Sequence, residues 1–175
     1  MPDRRHLWRG IHDPEMVRSG VAVDVATDRP RYKPRDEVTA RITITTAGVG
    51  HHFPTYVTPR VVVRAALVDA AGRETRASAE ERVIAREASL DLSRELFDTR
   101  IPGGGRFVFD YRRRVEHAGL SLRVRVTVHP DHFYMRFFES LLGSGAGQGT
   151  AEIRKALEAT RRSTFEIYRR DLPLT

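Results

Sequence analysis

Hydrophobic and polar residues alternate along much of the chain between residues 21 and 129. In the stretch 38–45, every second residue is apolar and the residues between them are polar. A period of two is typical of a strand that is covered on one side. Alternation or a continuous apolar run predicts further strands at 21–25, 60–69, 106–111 and 120–128. The polar segment 75–87 is interpreted as a strand because its neighbours are strands.

After Pro130 the pattern changes to the period of a helix. Apolar residues recur three and four positions apart, which predicts a helix that is capped by Asp131 and packs its apolar side chains against the sheet. These side chains are Phe133, Tyr134, Phe137, Phe138, Leu141 and Leu142. A glycine-rich connection at 143–149, a second helix capped by Thr150 and a last strand at 164–169 complete the chain.

Six or seven short strands separated by turn signals predict a mainly β fold. The expected architecture is an immunoglobulin-like antiparallel β-sandwich with a two-helix C-terminal appendage. Residues 21–129 would form the sandwich, and residues 130–175 would form the helical appendage with a final strand, packed on the sandwich. Residues 1–20 are expected to form an extended N-terminal segment that docks onto a partner.

Composition restricts the chemistry more than it restricts the fold. The 175 residues contain no cysteine, which excludes a disulfide framework, a thiolate zinc site, a cysteine nucleophile and covalent attachment of haem through CxxCH. The net charge is +7, but acidic residues are interspersed and aromatic residues are few, so no nucleic-acid partner is expected. No stretch is long and apolar enough to span a bilayer, and no signal peptide is visible.

Histidines are the main candidates for chemistry, because imidazole binds transition metals and haem iron without help from cysteine. The seven are His6, His12, His51, His52, His117, His129 and His132. Four of them lie in two short clusters, 6–16 and 48–56, and the second cluster directly follows a predicted strand. Two adjacent imidazoles cannot both point inward, so the pattern leaves open which of His51 and His52 would reach an iron. The alternative is that the histidines are structural or surface residues.

Three stretches together carry a resemblance to a known family. They are GIHDPEMV at 10–17, GHHFPTY at 50–56 with Thr58-Pro59-Arg60, and HPDHFY at 129–134. They resemble the C-terminal β-domain of bacterial multihaem c-type cytochromes, which has a GHxxPT loop after a strand, an apolar strand that ends in a D-x-x-G turn, and a helical tail. The turn here is 69–72, and the resemblance extends over nearly the whole chain.

The resemblance implies a role in electron transfer outside the cytoplasm. Those cytochromes carry their haems on CxxCH segments, which this chain lacks. It is therefore expected to be a non-catalytic accessory subunit that docks onto a c-type cytochrome partner. The partner would be either a multihaem cytochrome or the cytochrome of a membrane-bound respiratory or photosynthetic complex. By carry-over, the candidates for an imidazole ligand to haem c of that partner are His12, His51 and His52. The expected partner-binding residues are His6, Trp8, Phe53 and Tyr56.

Two other readings remain open from the sequence. The first is a free-standing immunoglobulin-like binding module for carbohydrate or protein, in which no haem is involved. The second is a site that holds zinc or copper through histidines alone. The chain contains no HExxH or GxSxG motif, and its glycine-rich stretch lacks the lysine of a phosphate-binding loop, so it is not expected to be an enzyme.

Overall fold

The computed structural model describes residues 10–145 and 147–174, and it confirms a mainly β fold with helices at the C-terminal end. The described residues form nine strands: β1 Val21–Thr27, β2 Glu37–Thr46, β3 Arg60–Val68, β4 Glu80–Ile84, β5 Arg86–Ala88, β6 Glu95–Asp98, β7 Arg106–Arg114, β8 Ser121–His129 and β9 Phe165–Pro173. The same residues form three α-helices: α1 Pro14–Gly20, α2 His132–Gly143 and α3 Thr150–Arg162.

Two antiparallel sheets form the sandwich. One has the strand order β1-β2-β7 and the other has the order β4-β3-β8-β9, while β5 and β6 form a separate two-stranded ribbon. The chain crosses between the sheets from β2 to β3 and from β7 to β8. This arrangement is that of an immunoglobulin-like sandwich.

The core lies between the two sheets and is built from the alternating apolar positions of the sequence. The inward side chains of β2 are fully buried: Val38, Ala40, Ile42 and Ile44. Their counterparts on the other sheet come from β3 and β8, among them Val61, Val63, Leu122, Val124 and Val126. The burial of these positions confirms the inner face that the alternation predicted, because a strand buried on one side has an apolar residue at every second position.

The outer face of the second sheet explains part of the excess of arginine. Arg64 bonds to Glu74 at 2.7 Å, Arg123 bonds to Asp171 at 2.7 Å, and Arg125 bonds to Glu166 at 2.5 Å. Arg123 uses two nitrogens of its planar guanidinium to donate to both carboxylate oxygens of Asp171. These arginines therefore form ion pairs within the surface of the sheet itself.

The N-terminal segment differs from the expected extended conformation. Residues 14–20 form the helix α1 because Asp13 caps it, with its Oδ1 accepting hydrogen bonds from the backbone nitrogens of Glu15 at 3.0 Å and Met16 at 3.1 Å. Pro14 occupies the first turn, where its missing N–H costs nothing. Residues 1–9 lie outside the described residues.

The segment 75–87, predicted as one strand, is divided. A short 3₁₀ turn at Arg76–Ser78 precedes β4, and β5 starts after Ala85. The buried Ser78 hydroxyl accepts a hydrogen bond from the backbone nitrogen of Leu67 at 2.8 Å, while the Tyr111 hydroxyl donates to the Ser78 carbonyl at 2.9 Å. These bonds hold the turn against the end of the sandwich.

Helix α2 does not pack its aromatic residues against the sheet as predicted. Phe133 is buried, but Tyr134 is 46% exposed and Phe137 is 38% exposed, so the prediction is wrong for these two residues. Phe138, Leu141 and Leu142 are half-buried, as is Arg136, whereas Glu139 is exposed. Arg136 bonds to Glu87 at 2.8 Å, and Glu139 bonds to Arg161 of α3 at 2.9 Å.

The C-terminal helices pack mainly against each other. The contacts that tie α2 to the sandwich come from the start of the helix, where the Phe133 backbone nitrogen donates to the Thr58 carbonyl at 3.0 Å. In residues 10–145 and 147–174, no helix combines the length and the hydrophobicity needed to cross a bilayer.

Candidate docking groove and histidine loop

The two histidine clusters of the sequence meet in one groove at the end of the sandwich. The groove has a volume of about 580 Å³ and lies between residues 10–20 and the loop 47–59 that follows β2. Its apolar lining includes Ile11, Met16, Val17, Phe53, Pro54 and Tyr56, and His51 is the histidine that lines it. This volume is within the usual range of small-ligand sites.

The loop 47–59, called the histidine loop below, is anchored by the segment 101–105. Phe53 and Ile101 exchange two backbone hydrogen bonds of 2.8 Å. The Thr46 hydroxyl donates to the Pro102 carbonyl at 2.9 Å. Gly103 lies so close that a Cβ there would be 2.7 Å from the carbonyl oxygen of Val49. The loop can approach this closely because Gly103 has no side chain.

Phe53 was predicted to contact a partner, but its side chain is only 6% exposed. It belongs to the core cluster and joins the loop to the sandwich. Tyr56, which follows three residues later, is 68% exposed at the rim of the groove. Phe53 therefore fixes the loop from inside, whereas Tyr56 is available to a partner. His6 and Trp8, also predicted to contact a partner, lie outside the described residues.

The two adjacent histidines are both exposed but are held differently. The Nδ1 of His51 lies 2.9 Å from the backbone carbonyl oxygen of His52 and 3.2 Å from the Thr55 hydroxyl. Because a carbonyl oxygen only accepts, this contact fits the tautomer in which Nδ1 carries the proton and Nε2 has the lone pair. Among the described residues, Nε2 of His51 has no hydrogen-bond partner. Such a bond through Nδ1 is how proteins orient a histidine whose Nε2 binds a metal.

His12 is bound in a different way. Its Nε2 lies 2.9 Å from Oδ1 of Asp131, the residue that precedes α2. Asp131 was predicted to cap α2 with its side chain, but that carboxylate pairs with His12 and makes no capping bond. The pair links the start of α1 to the start of α2, and His12 is not among the residues that line the groove.

A polar cluster that the sequence pattern did not reveal lies beneath the start of α2. Nη1 of Arg60 is 3.1 Å from Nε2 of His132, and Glu87 accepts from Arg136 and lies 3.9 Å from Arg60. Burial, with the charge of Arg60 next, lowers the pKa of His132 to about 4. Burial also lowers the pKa of His129. The sequence signal that could have revealed this cluster is the four-residue spacing of His132 and Arg136, which places both residues on one face of the helix.

The described histidines do not assemble into a metal site. In the ranges 10–145 and 147–174, the structure has no group of three or more histidine, aspartate, glutamate or cysteine side chains positioned to hold an ion. His117, the remaining described histidine, hydrogen-bonds the neighbouring Ala118 carbonyl at 2.9 Å. The geometry therefore gives no support to a site for zinc or copper made by these histidines alone.

No protein-family model and no curated protein matches the chain. Among solved structures, the fold is similar to a penta-haem cytochrome c552 from Thermochromatium tepidum, with a TM-score of 0.62 and 13% identity over 93% of this chain. The chain spans 42% of that cytochrome's length. The C-terminal domain of wzt is also similar, with a TM-score of 0.37, 11% identity, and coverage of 73% of this chain and 66% of that domain. The cytochrome likeness concerns the fold.

Proposed function

We propose that this protein is a non-catalytic accessory component of an extracytoplasmic electron-transfer assembly, which docks its groove onto a c-type cytochrome. The observation that carries the proposal is the fold: 93% of the chain follows part of a penta-haem cytochrome. The chain itself has no cysteine with which to attach haem covalently. A domain of this kind would act on the haem of a partner and not on one of its own.

The geometry of the groove supports the same proposal. An apolar groove with one imidazole at its edge suits the rim of a porphyrin, which is apolar and whose iron accepts a neutral histidine nitrogen. His51 is the best placed of the three candidate ligands, because its Nδ1 is fixed by the His52 carbonyl and its ring lines the groove. His12 is paired with Asp131 and does not line the groove. His52 contributes its carbonyl to the orientation of its neighbour.

The test uses the purified chain and haem-staining proteins captured from the native membrane fraction. Co-elution on size exclusion measures docking, and the Soret and visible bands of the cytochrome report a change of haem ligand. We expect the chain to shift these bands, His51→Ala to abolish the shift, and His52→Ala, the adjacent control, to retain it. His12→Ala should also retain the shift.

Three results would contradict the proposal in different ways. If no cytochrome co-elutes, the docking proposal fails. If a cytochrome binds but the bands do not change, the ligand role of His51 fails while docking stands. If the chain binds glycans or a protein without haem and no cytochrome, it is a free-standing binding module instead.

A further inference from the structure

Two adjacent contacts join the start of α2 to the end of the histidine loop. The Phe133 backbone nitrogen donates to the Thr58 carbonyl at 3.0 Å, and Nη1 of Arg60 lies 3.1 Å from Nε2 of His132. Arg60 is the first residue of β3 and directly follows the loop whose residues line the groove. These two contacts, here named the loop–helix junction, therefore hold that side of the groove against α2.

The contact between Arg60 and His132 requires a neutral imidazole. A guanidinium donates hydrogen bonds and cannot accept them, so Nε2 of His132 must carry a lone pair. A proton on Nε2 would remove the acceptor and place two positive charges 3.1 Å apart. Because an arginine keeps its charge in proteins, protonation of His132 requires the two side chains to separate.

The nearest carboxylate cannot compensate for a second charge. Glu87 already bonds to Arg136 at 2.8 Å and lies 3.9 Å from Arg60 and 4.0 Å from His132. The side chains of His132 and Glu87 are 12% and 16% exposed, so water screens the cluster weakly. The charged and titratable groups that face His132 are Arg60 of β3, Glu87 of β5, His129 of β8, and Arg136 and Glu139 of α2. Glu139 is exposed and paired with Arg161 of α3.

We propose that protonation of His132 releases the loop–helix junction and so opens the groove on the side of the histidine loop. The other side of the groove responds differently. A carboxylate accepts a hydrogen bond from Nε2 of His12 whether that ring is neutral or charged, and the charge strengthens the pair with Asp131. As pH falls, the start of α2 therefore stays bound to the segment before α1 and separates from the loop. This proposal does not depend on what occupies the groove.

The first test is amide hydrogen exchange, followed by NMR at pH 7.5 and at pH 5 and corrected for the intrinsic effect of pH. The pKa of His132 is about 4 when the junction is closed, against an ordinary value of 6.5. Release should therefore be about 30-fold more frequent at pH 5 than at pH 7.5, and the Phe133 amide should lose protection by this factor. The amides of Val17 in α1 and Ile42 in β2 should keep their protection.

Variants identify the group that takes up the proton. His132→Gln should abolish the loss of protection at Phe133, because a neutral amide oxygen can still accept from Arg60 at either pH. His117→Gln is the matched control, since His117 is an exposed histidine that bonds to a neighbouring backbone carbonyl. This control should lose protection as the unsubstituted protein does.

The second test measures the groove itself. Met16 and Tyr56 are exposed residues on its two sides, and the chain has no cysteine of its own. Met16→Cys/Tyr56→Cys therefore provides two thiols for spin labels, whose separation pulsed EPR measures. We expect the distance distribution to lengthen or broaden at pH 5, and His132→Gln, added to the labelled protein, to preserve the distribution seen at pH 7.5.

Other outcomes overturn the proposal. Unchanged protection of Phe133 at pH 5, or an equal loss in His132→Gln, excludes His132 as the trigger. A loss that His129→Gln removes and His132→Gln retains assigns the trigger to His129. Equal loss at Phe133 and Ile42 would show unfolding of the whole sandwich, and an unchanged EPR distance would show that the groove does not open.

The unsubstituted protein provides a measurement that holds even where His132→Gln does not fold. Uptake of one proton on release requires protection at Phe133 to fall by up to about tenfold per pH unit between pH 6 and pH 5. Protection that is independent of pH in this range overturns the proposal without any variant.

Discussion

The substitution Gly103→Ala tests how closely the histidine loop is packed onto the segment 101–105. The new Cβ would lie 2.7 Å from the Val49 carbonyl oxygen and 3.2 Å from the backbone nitrogen of His51. These neighbours are backbone atoms, so the clash cannot be relieved by rotating a side chain. Overpacking of this kind costs about 2 kcal/mol, which corresponds to a fall in Tm of about 4–8 °C for a chain of this size.

The matched control is Gly50→Ala in the same loop. A Cβ at Gly50 meets no atom within 4 Å, and its backbone lies outside the left-handed region. Alanine there restricts the unfolded chain and should leave Tm unchanged or raise it slightly, since such changes stabilise by about 0.4–1 kcal/mol. Differential scanning calorimetry compares the two variants. If the two variants have the same Tm, the close approach of the loop to Gly103 is refuted.

Further predictions concern buried groups. Because burial holds the pKa of His132 at about 4 against an ordinary 6.5, the unfolded chain takes up a proton first as pH falls. The contribution of His132 to stability is therefore intact above pH 6.5 and is lost toward pH 4, by about 3 kcal/mol, and urea titrations should show a decline that is smaller by about this amount in His132→Gln. Tyr111→Phe removes the bond to the Ser78 carbonyl and should cost about 1–2 kcal/mol, whereas Tyr56→Phe at the exposed rim should cost under about 0.5 kcal/mol. Phe53→Ala should cost about 3–5 kcal/mol in urea denaturation, and a smaller loss would contradict its place in the core.

The sandwich could be predicted from the sequence because burial on one face of a sheet imposes a period of two. Val38, Ala40, Ile42 and Ile44 are all fully buried, as the alternation indicated. The orientation of α2 could not be predicted in the same way. Its period reveals an apolar face but does not say which neighbour covers it. The orientation of the helix depends on Glu87, which lies 49 residues before Arg136 in the sequence and becomes its partner only in the folded protein.

At the candidate site as well, the local loop could be predicted from the sequence, whereas contacts between distant residues could not. The GHHFPTY pattern locates a constrained loop, and the structure places that loop on the groove. Sequence could not choose between His51 and His52, since the difference is a single hydrogen bond from one ring to the neighbouring carbonyl. It also could not pair His12 with Asp131, which are 119 positions apart, and it therefore predicted Asp131 to be a helix cap.

The start of α2 is hydrogen-bonded to both sides of the groove. On one side of the groove, His12, which follows the lining residue Ile11, bonds to Asp131 at 2.9 Å. On the other side, Thr58 of the histidine loop accepts the backbone bond of Phe133 at 3.0 Å. Both sides of the groove are thus tied to the start of the same helix, so a change at the start of α2 would alter the groove although α2 does not line it.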